Sequence, residues 1–431
     1  PDLIDGYTYA SMMNEARTTR NQEPFFPEDK LYILRNGLDQ DLYPNVDWMD
    51  VLLKKGAPTY RATINMNGGG SLARYYVSAS YVDEGGMYKV DKGLKDYNTN
   101  ANYRRWNYRL NVDMDITKTT LLKVGVSGSL DKKNEPGMSS NIWASAMNYN
   151  PVSVPIMYSN GYTPAFGSND EQINPWTIAT QTGYQETWNN KLQTNITKGL
   201  KFIGRYGFDT NNYQWINRKK IPELWRAEQN RASDGSLVMR KIRDEQLMSQ
   251  EANSTGERKE YLEAELHYDR TFGNHMVGAV MKYTQDKTIN ASVKKEDDIM
   301  QGIDRRHQGL SGRFTYGWKY RYFVDFNFGY NGSENFAAGH QFGFFPAYSI
   351  AWNMAEESFI KEKSPWINMF KVRYSYGKVG NDNMERRFPY LSTFGASNNY
   401  NYADLGQNYQ FDGLTYTYYA TNAVTWEIAT K

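Results

Sequence analysis

Cysteine is absent from the 431 residues, which excludes thiolate metal sites, thiol nucleophiles and disulfides and leaves the redox compartment open. Histidine is scarce: His267, His275, His307 and His340 form no ligand pair such as His-x-x-x-His. No run of about 18 apolar residues occurs, so no helix is expected to span a membrane, and the mean hydropathy is −0.76. An excess of one charge is missing too. Fifty Lys and Arg face 48 Asp and Glu, without the concentrated basic face of a nucleic-acid binder. There is no nucleophile elbow, phosphate loop or dinucleotide fingerprint; Gly68-Gly69-Gly70 lacks the downstream Lys-Ser/Thr and reads as a hairpin turn. An enzyme is not expected. The length suits two or three soluble domains, or one large barrel.

Aromatic residues are plentiful at 15%, with 35 Tyr. They are ordered most clearly between Leu310 and Gly380. There Phe314, Tyr316 and Trp318 alternate with Arg313 and Thr315, and Tyr322, Val324, Phe326, Phe328 and Tyr330 with Asp325 and Asn327. Phe344, Tyr348, Ile350 and Trp352, then Phe370, Val372, Tyr374 and Tyr376, continue the pattern against Ser349, Lys371, Arg373 and Ser375. A period of two predicts strands with one apolar and one polar face. Charges on the second face would be costly in a packed core. The inversion fits an all-β, transmembrane antiparallel β-barrel, apolar towards lipid and polar towards a wet lumen, which escapes a test for long apolar runs.

Along the chain, residues 1–58 read as a connecting segment with two short helices: one carrying Tyr9, Met12, Met13 and Ala16, the other capped by Asn45, carrying Trp48, Val51, Leu52 and Lys55 and stopped by Gly56. Residues 59–431 read as the barrel portion. Short turns at 68–71, 117–120, 198–199, 271–275 and 319–320 alternate with long segments at 84–103, 132–186, 211–258 and 287–306, as periplasmic turns alternate with extracellular loops. The link 354–368 is long for its side. Roughly fourteen strands are visible, fewer than the 22 of plugged outer-membrane transporters. PDLIDG has no signal-peptide features and TWEIATK stops within a strand pattern, so the chain reads as a piece of a longer protein.

YPNVDWMDVLLKKGAP at 43–58, GGGSLARYYVSASYVDEGGM at 68–87 and NYRRWNYRLNVDMDITKTTLLKVGVSGSL at 102–130 resemble the SusC-like, or RagA-like, TonB-dependent outer-membrane transporters. GFFPAYSIAWNMAEESF at 343–359 and KVRYSYGKVGND at 371–382 extend the likeness over most of the chain, although Tyr330-Asn331-Gly332-Ser333-Glu334 departs from the family's Arg-Asp-Gly-Ser-Ser-type loop. The resemblance implies a 22-stranded barrel in the outer membrane of a Gram-negative cell. It also implies a plug and a TonB-contacting region upstream of Pro1, and further strands beyond Lys431. A SusD-like surface lipoprotein lid, contact with the TonB complex, import of oligosaccharides or peptides and no cofactor are implied as well; a dimer of transporter–lipoprotein pairs is compatible with it.

For contact with substrate or lid, the candidates are Trp143, Tyr149, Tyr162, Phe166 and Trp176 in the first long loop and Tyr213, Trp215 and Trp225 in the second. Flat rings with polar edges suit sugar faces or peptide side chains. The same rings could instead pack the loop onto itself or onto a lid, since a long loop needs its own small core. Arg109, Asn111, Asp325, Asn327 and Arg373 are expected in the lumen, and Tyr108, Leu110, Val112, Val324, Phe326, Ile350 and Val372 against lipid. Paired carboxylates such as Asp113 with Asp115 or Glu263 with Glu265 could form a glycosidase pair but read more simply as lumen charges with basic partners on neighbouring strands. The alternatives to active import are a passive porin, a TonB-dependent receptor for metal chelates, or a secreted β-rich carbohydrate-binding protein.

Overall fold

The computed structural model describes all residues except 1–2, 95, 167–171, 200, 291–302, 365, 385 and 405–406; the side chains of 139–141, 166, 397–404 and 407–412 are also outside the described set. Three helices open the chain: α1 (Gly6–Thr18), α2 (Glu28–Asn36) and α3 (Trp48–Leu52). Four strands come next: β1 (Thr59–Gly69), β2 (Ala73–Glu84), β3 (Asn102–Thr117) and β4 (Thr120–Pro136). The next segment holds α4 (Ser139–Asn148), the short pair β5 (Ala165–Phe166) and β6 (Gln172–Ile173), and α5 (Pro175–Gln181). Long strands β7 (Gly183–Lys198) and β8 (Phe202–Ile221) precede a small hairpin, β9 (Leu224–Ala227) and β10 (Met239–Arg243). The chain continues with β11 (Gln246–Phe272), β12 (His275–Asn290), β13 (Arg305–Trp318), β14 (Tyr322–Ser333) and β15 (Phe342–Asn353). A 3-10 turn and α6 (Ser358–Lys363) lead to β16 (Lys371–Asn381), β17 (Thr393–Asp404), β18 (Gln407–Tyr418) and β19 (Glu427–Thr430).

Thirteen strands form one antiparallel sheet in the order β1-β2-β3-β4-β7-β8-β11-β12-β13-β14-β15-β16-β19. Sequential neighbours pair throughout, which is the up-and-down connectivity of an outer-membrane barrel. The register keeps side-chain parity from strand to strand. Leu110 stands opposite Val77 and Val126, and Phe326 opposite Phe314 and Tyr348. Arg313 stands opposite Asn327, and Asp325 opposite Ser349. The apolar face is exposed: Tyr348 is 50% accessible, Ile350 57% and Tyr374 67%. Its rings form cross-strand ladders, Trp318 on Tyr322 at 5.8 Å and Tyr322 on Trp352 at 6.3 Å. In water such a surface would be untenable; facing acyl chains it is the favourable arrangement.

Turns lie at one end of the sheet and long excursions at the other. The β13–β14 turn uses Lys319 and Tyr320 with φ of 50° and 58°, a left-handed pair without glycine. That geometry matches strand twist and is supported by the Lys319 N–H donating to Asn274 O at 2.8 Å. The link from β15 to β16 is long and sits at the turn end, as its sequence indicates.

Three readings of the sequence are corrected. The second expected helix starts from Asp47, whose side chain accepts from Met49 N and Asp50 N; Asn45 instead accepts from Gly6 N at 2.7 Å, and the helix ends at Leu52. An additional helix, α2, lies between them; Glu28 and Asp29 favour its N-terminal dipole and Gly37 ends it with φ of 61°. Its apolar stripe is too short to signal it, and within it only Leu34 is buried. The long segments are also shorter than read: β4 runs to Pro136, β8 to Ile221 and β11 starts at Gln246, leaving loops 137–182 and 222–245. At 20 residues β8 rises roughly 65 Å, far beyond an apolar band of about 25 Å, so its upper half pairs in water without apolar alternation.

Candidate functional site

On the polar face the strands β2, β3, β4, β7, β8 and β11 line a trough of about 660 Å³. Arg105, Arg109, Lys191 and Lys259 face Asp209 and Glu257 there, among Asn107, Ser127, Ser129, Gln193 and Asn211. Asn111 borders the adjoining hollow. The concave side of the sheet is thus the polar side. Asp325, Asn327 and Arg373 continue the same face by register, but on distant strands, so the structure does not gather them with Arg109 into one cluster. Arg313 holds Asp325 at 2.5 Å, and Asp325 accepts from Asn327 at 2.8 Å.

The carboxylate pairs have cationic partners on adjacent strands. Arg74 meets Asp115 at 2.8 Å and Lys123 meets Asp113 at 3.8 Å. Arg205 meets Glu265 at 2.8 Å and also contacts Glu263, which Lys282 reaches at 2.6 Å. Each of these carboxylates is thus balanced by a basic side chain across the sheet, as the lumen reading expects. Among the described residues no group of three or more His, Asp or Glu is arranged to hold a metal.

A second unit, a cap, takes part of its core from residues 46–52. Val46, Trp48, Met49 and Leu52 from α3 and its approach pack with Ile142 and Ala146 of α4, Ile178 and Ala179 of α5, and Val154, Ala165, Ile173 and Leu224. Trp48 and Leu52 are buried. Residues 46–52 therefore contribute to the core of the cap together with loop 137–182, while α1 and α2 stay largely exposed. Asn174 caps α5 by accepting from Thr177 N at 2.7 Å, and its amide donates to Pro155 O and Ile156 O at 3.1 and 2.9 Å. That buried amide ties the loop to the helix.

The candidate rings divide by environment. Tyr149 and Trp176 pack against the cap core. Tyr162 stacks on Trp225 at 4.4 Å, clipping loop 137–182 to the β9–β10 hairpin, and Lys241 sits over the Trp225 ring at 5.5 Å. Trp143 stays half exposed on α4, one turn from exposed Met147. The side chain of Phe166 lies outside the described residues. Tyr213 and Trp215 are not loop residues: both lie on β8, with the parity of Asp209 and Asn211, and so belong to the polar face. The misreading arises because the strand loses its apolar alternation above the membrane.

Sequence reasoning misses the tie formed by Asp39, Asp41 and Arg231. The Arg231 guanidinium donates to both Asp39 carboxylate oxygens at 2.9 and 2.8 Å and to Asp41 at 3.0 Å; Asp41 also accepts from Ser159 N and Oγ, each at 2.7 Å. Such a bidentate pair is the stronger kind of ion pair. The Arg231 hydrogen bond holds the Asp39 carboxyl below its ordinary value and Arg231 is raised in turn. A carboxylate with a lowered folded pKa contributes stability above its unfolded value and loses it as pH falls through the folded one, so the tie is intact at neutral pH. The partners are 192 residues apart, and no local pattern links them.

The two faces can be read chemically, because these 431 residues hold no native cysteine and any cysteine elsewhere in the full-length protein can be replaced by serine first. In full-length protein in cells, cysteines replacing Arg109, Asn111, Asp325, Asn327 or Arg373 are expected to react with a membrane-impermeant maleimide through the pore. Cysteines replacing Tyr108, Leu110, Val112, Val324, Phe326, Ile350 or Val372 should stay unmodified. A register slip of one residue would reverse every result, and so would a reversed sheet.

No family model matches the chain. TonB-dependent receptor P3 of Formosa agariphila is 25% identical over 422 residues, covering 89% of this chain and 38% of that protein. TonB-dependent receptor SusC of Bacteroides thetaiotaomicron is 22% identical over 426 residues, covering 85% and 38%. The chain thus spans about two fifths of the length of these relatives, at 38% in both. A solved structure of the RagAB peptide transporter superposes with a TM-score of 0.61 at 16% identity, over 100% of this chain and 49% of that one. Continuous antiparallel pairing, an exposed aromatic face and a polar concave face agree with those likenesses. The chain is SusC-like in sequence and RagA-like in fold, a stretch of outer-membrane β-barrel similar to the TonB-dependent transporters.

Proposed function

We propose that the barrel imports large nutrients, oligosaccharides or peptides, across the outer membrane, energised through TonB and working with a SusD-like surface lipoprotein. The observation that carries this is the polar trough lying on the same sheet as an ordered cap that can receive cargo or a lid. A wall rich in amides, hydroxyls and paired charges offers many weak polar contacts and no deep apolar pocket, as suits a large hydrated cargo passing through. The relative titled a peptide transporter supports peptides as one cargo class. Ring edges in the cap suit sugars equally well.

Within the cap, Trp143 is the ring best placed to meet a partner, because it is exposed beside Met147 while Tyr149 and Trp176 are occupied in packing. Exposed aromatic anchors carry a large share of recognition energy. Trp143→Ala is expected to weaken capture of the lipoprotein or cargo by about 2 kcal/mol, roughly thirtyfold in Kd. The direct test is uptake of labelled peptides and oligosaccharides by cells with and without the full-length gene. Uptake should vanish on deletion of the gene and on loss of TonB. Uptake that persists without TonB would make the protein a passive porin, and uptake of metal chelates alone would make it a chelate receptor.

A further inference from the structure

We propose that the link between β15 and β16, residues 354–370, docks on the phospholipid of the periplasmic leaflet of the outer membrane. This docking depends on the barrel and its location, not on the cargo imported. The strands on either side end on an aromatic rim, with Trp318, Tyr322 and Trp352 stacked in series. Such rims sit at the headgroup level. Glu357 pins the link to that rim: one carboxylate oxygen accepts from the Tyr322 hydroxyl at 2.8 Å and from Trp352 Nε1 at 3.0 Å, and Arg321 reaches the other at 3.1 Å. With its carboxylate held by two rim rings and the adjoining turn, the start of the link cannot hang away into the periplasm.

Beyond Glu357 the link is strongly apolar and exposed. Trp366 is 78% accessible and Met369 79%, with Phe359 and Phe370 near half. Phe370 also continues the outward parity of Val372 and Tyr374. In water this surface would be a liability on a periplasmic turn. In the headgroup and acyl boundary it is stabilising. Lys361 and Lys363 stand in the last turn of α6, Lys361 with Glu356 at 2.5 Å, so Lys363 is the cation offered to lipid phosphate. Other described turns at this end of the sheet, such as 118–119, 273–274 and 319–321, are too short to lie on a bilayer. Among the described turns of this chain, the geometry therefore places this contact at the β15–β16 link.

The test uses full-length protein in vesicles of phosphatidylethanolamine and phosphatidylglycerol, spin-labelled at Trp366→Cys or Met369→Cys, with Lys118→Cys on the short, exposed β3–β4 turn as the aqueous reference. Both replaced apolar side chains are exposed, so neither change disturbs packing. The expected result is that molecular oxygen relaxes the labels at 366 and 369 faster than an aqueous nickel chelate does, with the order reversed at 118. Glu357→Gln should shift the labels at 366 and 369 towards nickel accessibility while the barrel keeps its heat-modifiable mobility, which a mere packing role for Glu357 would not produce. Nickel-dominated relaxation at both 366 and 369 in the native background overturns the proposal. So does protection that requires another envelope protein.

Discussion

Arginine in place of Tyr348 is expected to impair barrel assembly, while arginine at the next residue, Ser349, leaves it intact. Tyr348 lies four residues from both Phe344 and Trp352 on β15, near the middle of the apolar band. It faces outward against Phe326 at 5.3 Å. A cation at the bilayer midplane costs about 2–4 kcal/mol on a barrel's lipid face. Loss of the ring contact adds about 0.5–1.5 kcal/mol. Against a typical domain stability of about 5–15 kcal/mol, that is a large fraction. Ser349 points the other way, opposite Asp325 on one side and Ser375 on the other, so a guanidinium there finds a carboxylate and water. The ratio of heat-modifiable folded band to unfolded band for the two variants of the full-length protein measures the difference. Equal losses would mean that the two faces are equivalent and that the membrane orientation is wrong.

Trp48→Ala is expected to loosen the cap without unfolding the barrel. The indole is buried among Ile142, Ile178 and Leu224, and its Nε1 donates to Asn150 O at 3.4 Å. Truncating a buried tryptophan costs about 3–5 kcal/mol, from lost transfer energy and the cavity left behind. Among the described residues the cap's core holds a dozen buried side chains, so the loss falls on a small cluster. Amide exchange should rise steeply across 137–182 and remain unchanged in β13, β14 and β15. Trp48→Phe, which keeps most of the volume, should fall between the two. Unchanged exchange in the loop would show that Asn174, the Tyr162–Trp225 stack and the Arg231 tie hold the cap by themselves.

Strand identity and facing are legible in the sequence because they depend on a local period. Phe326 and Tyr348 point one way and Asp325 and Ser349 the other whatever the sheet around them does, and paired neighbours inherit that parity. The short turns are legible for the same reason, Lys319-Tyr320 included, and so is the likeness to SusC-like transporters. Where the strands leave the apolar band the signal fades: Asn211, Tyr213, Trp215 and Asn217 on one face and Asn212, Gln214 and Ile216 on the other mix polar and apolar residues, so the place of Tyr213 and Trp215 on β8 is set only by pairing with β7 and β11. The cap depends on tertiary structure altogether. Whether Tyr149 and Trp176 pack or bind is decided by helices that come together only when residues 46–52 meet residues 142–179. Arg231 finds Asp39 across 192 residues of chain. A sequence period carries information between near neighbours; the closure of loops onto one another is set by complementary shape and charge that meet only in the folded chain.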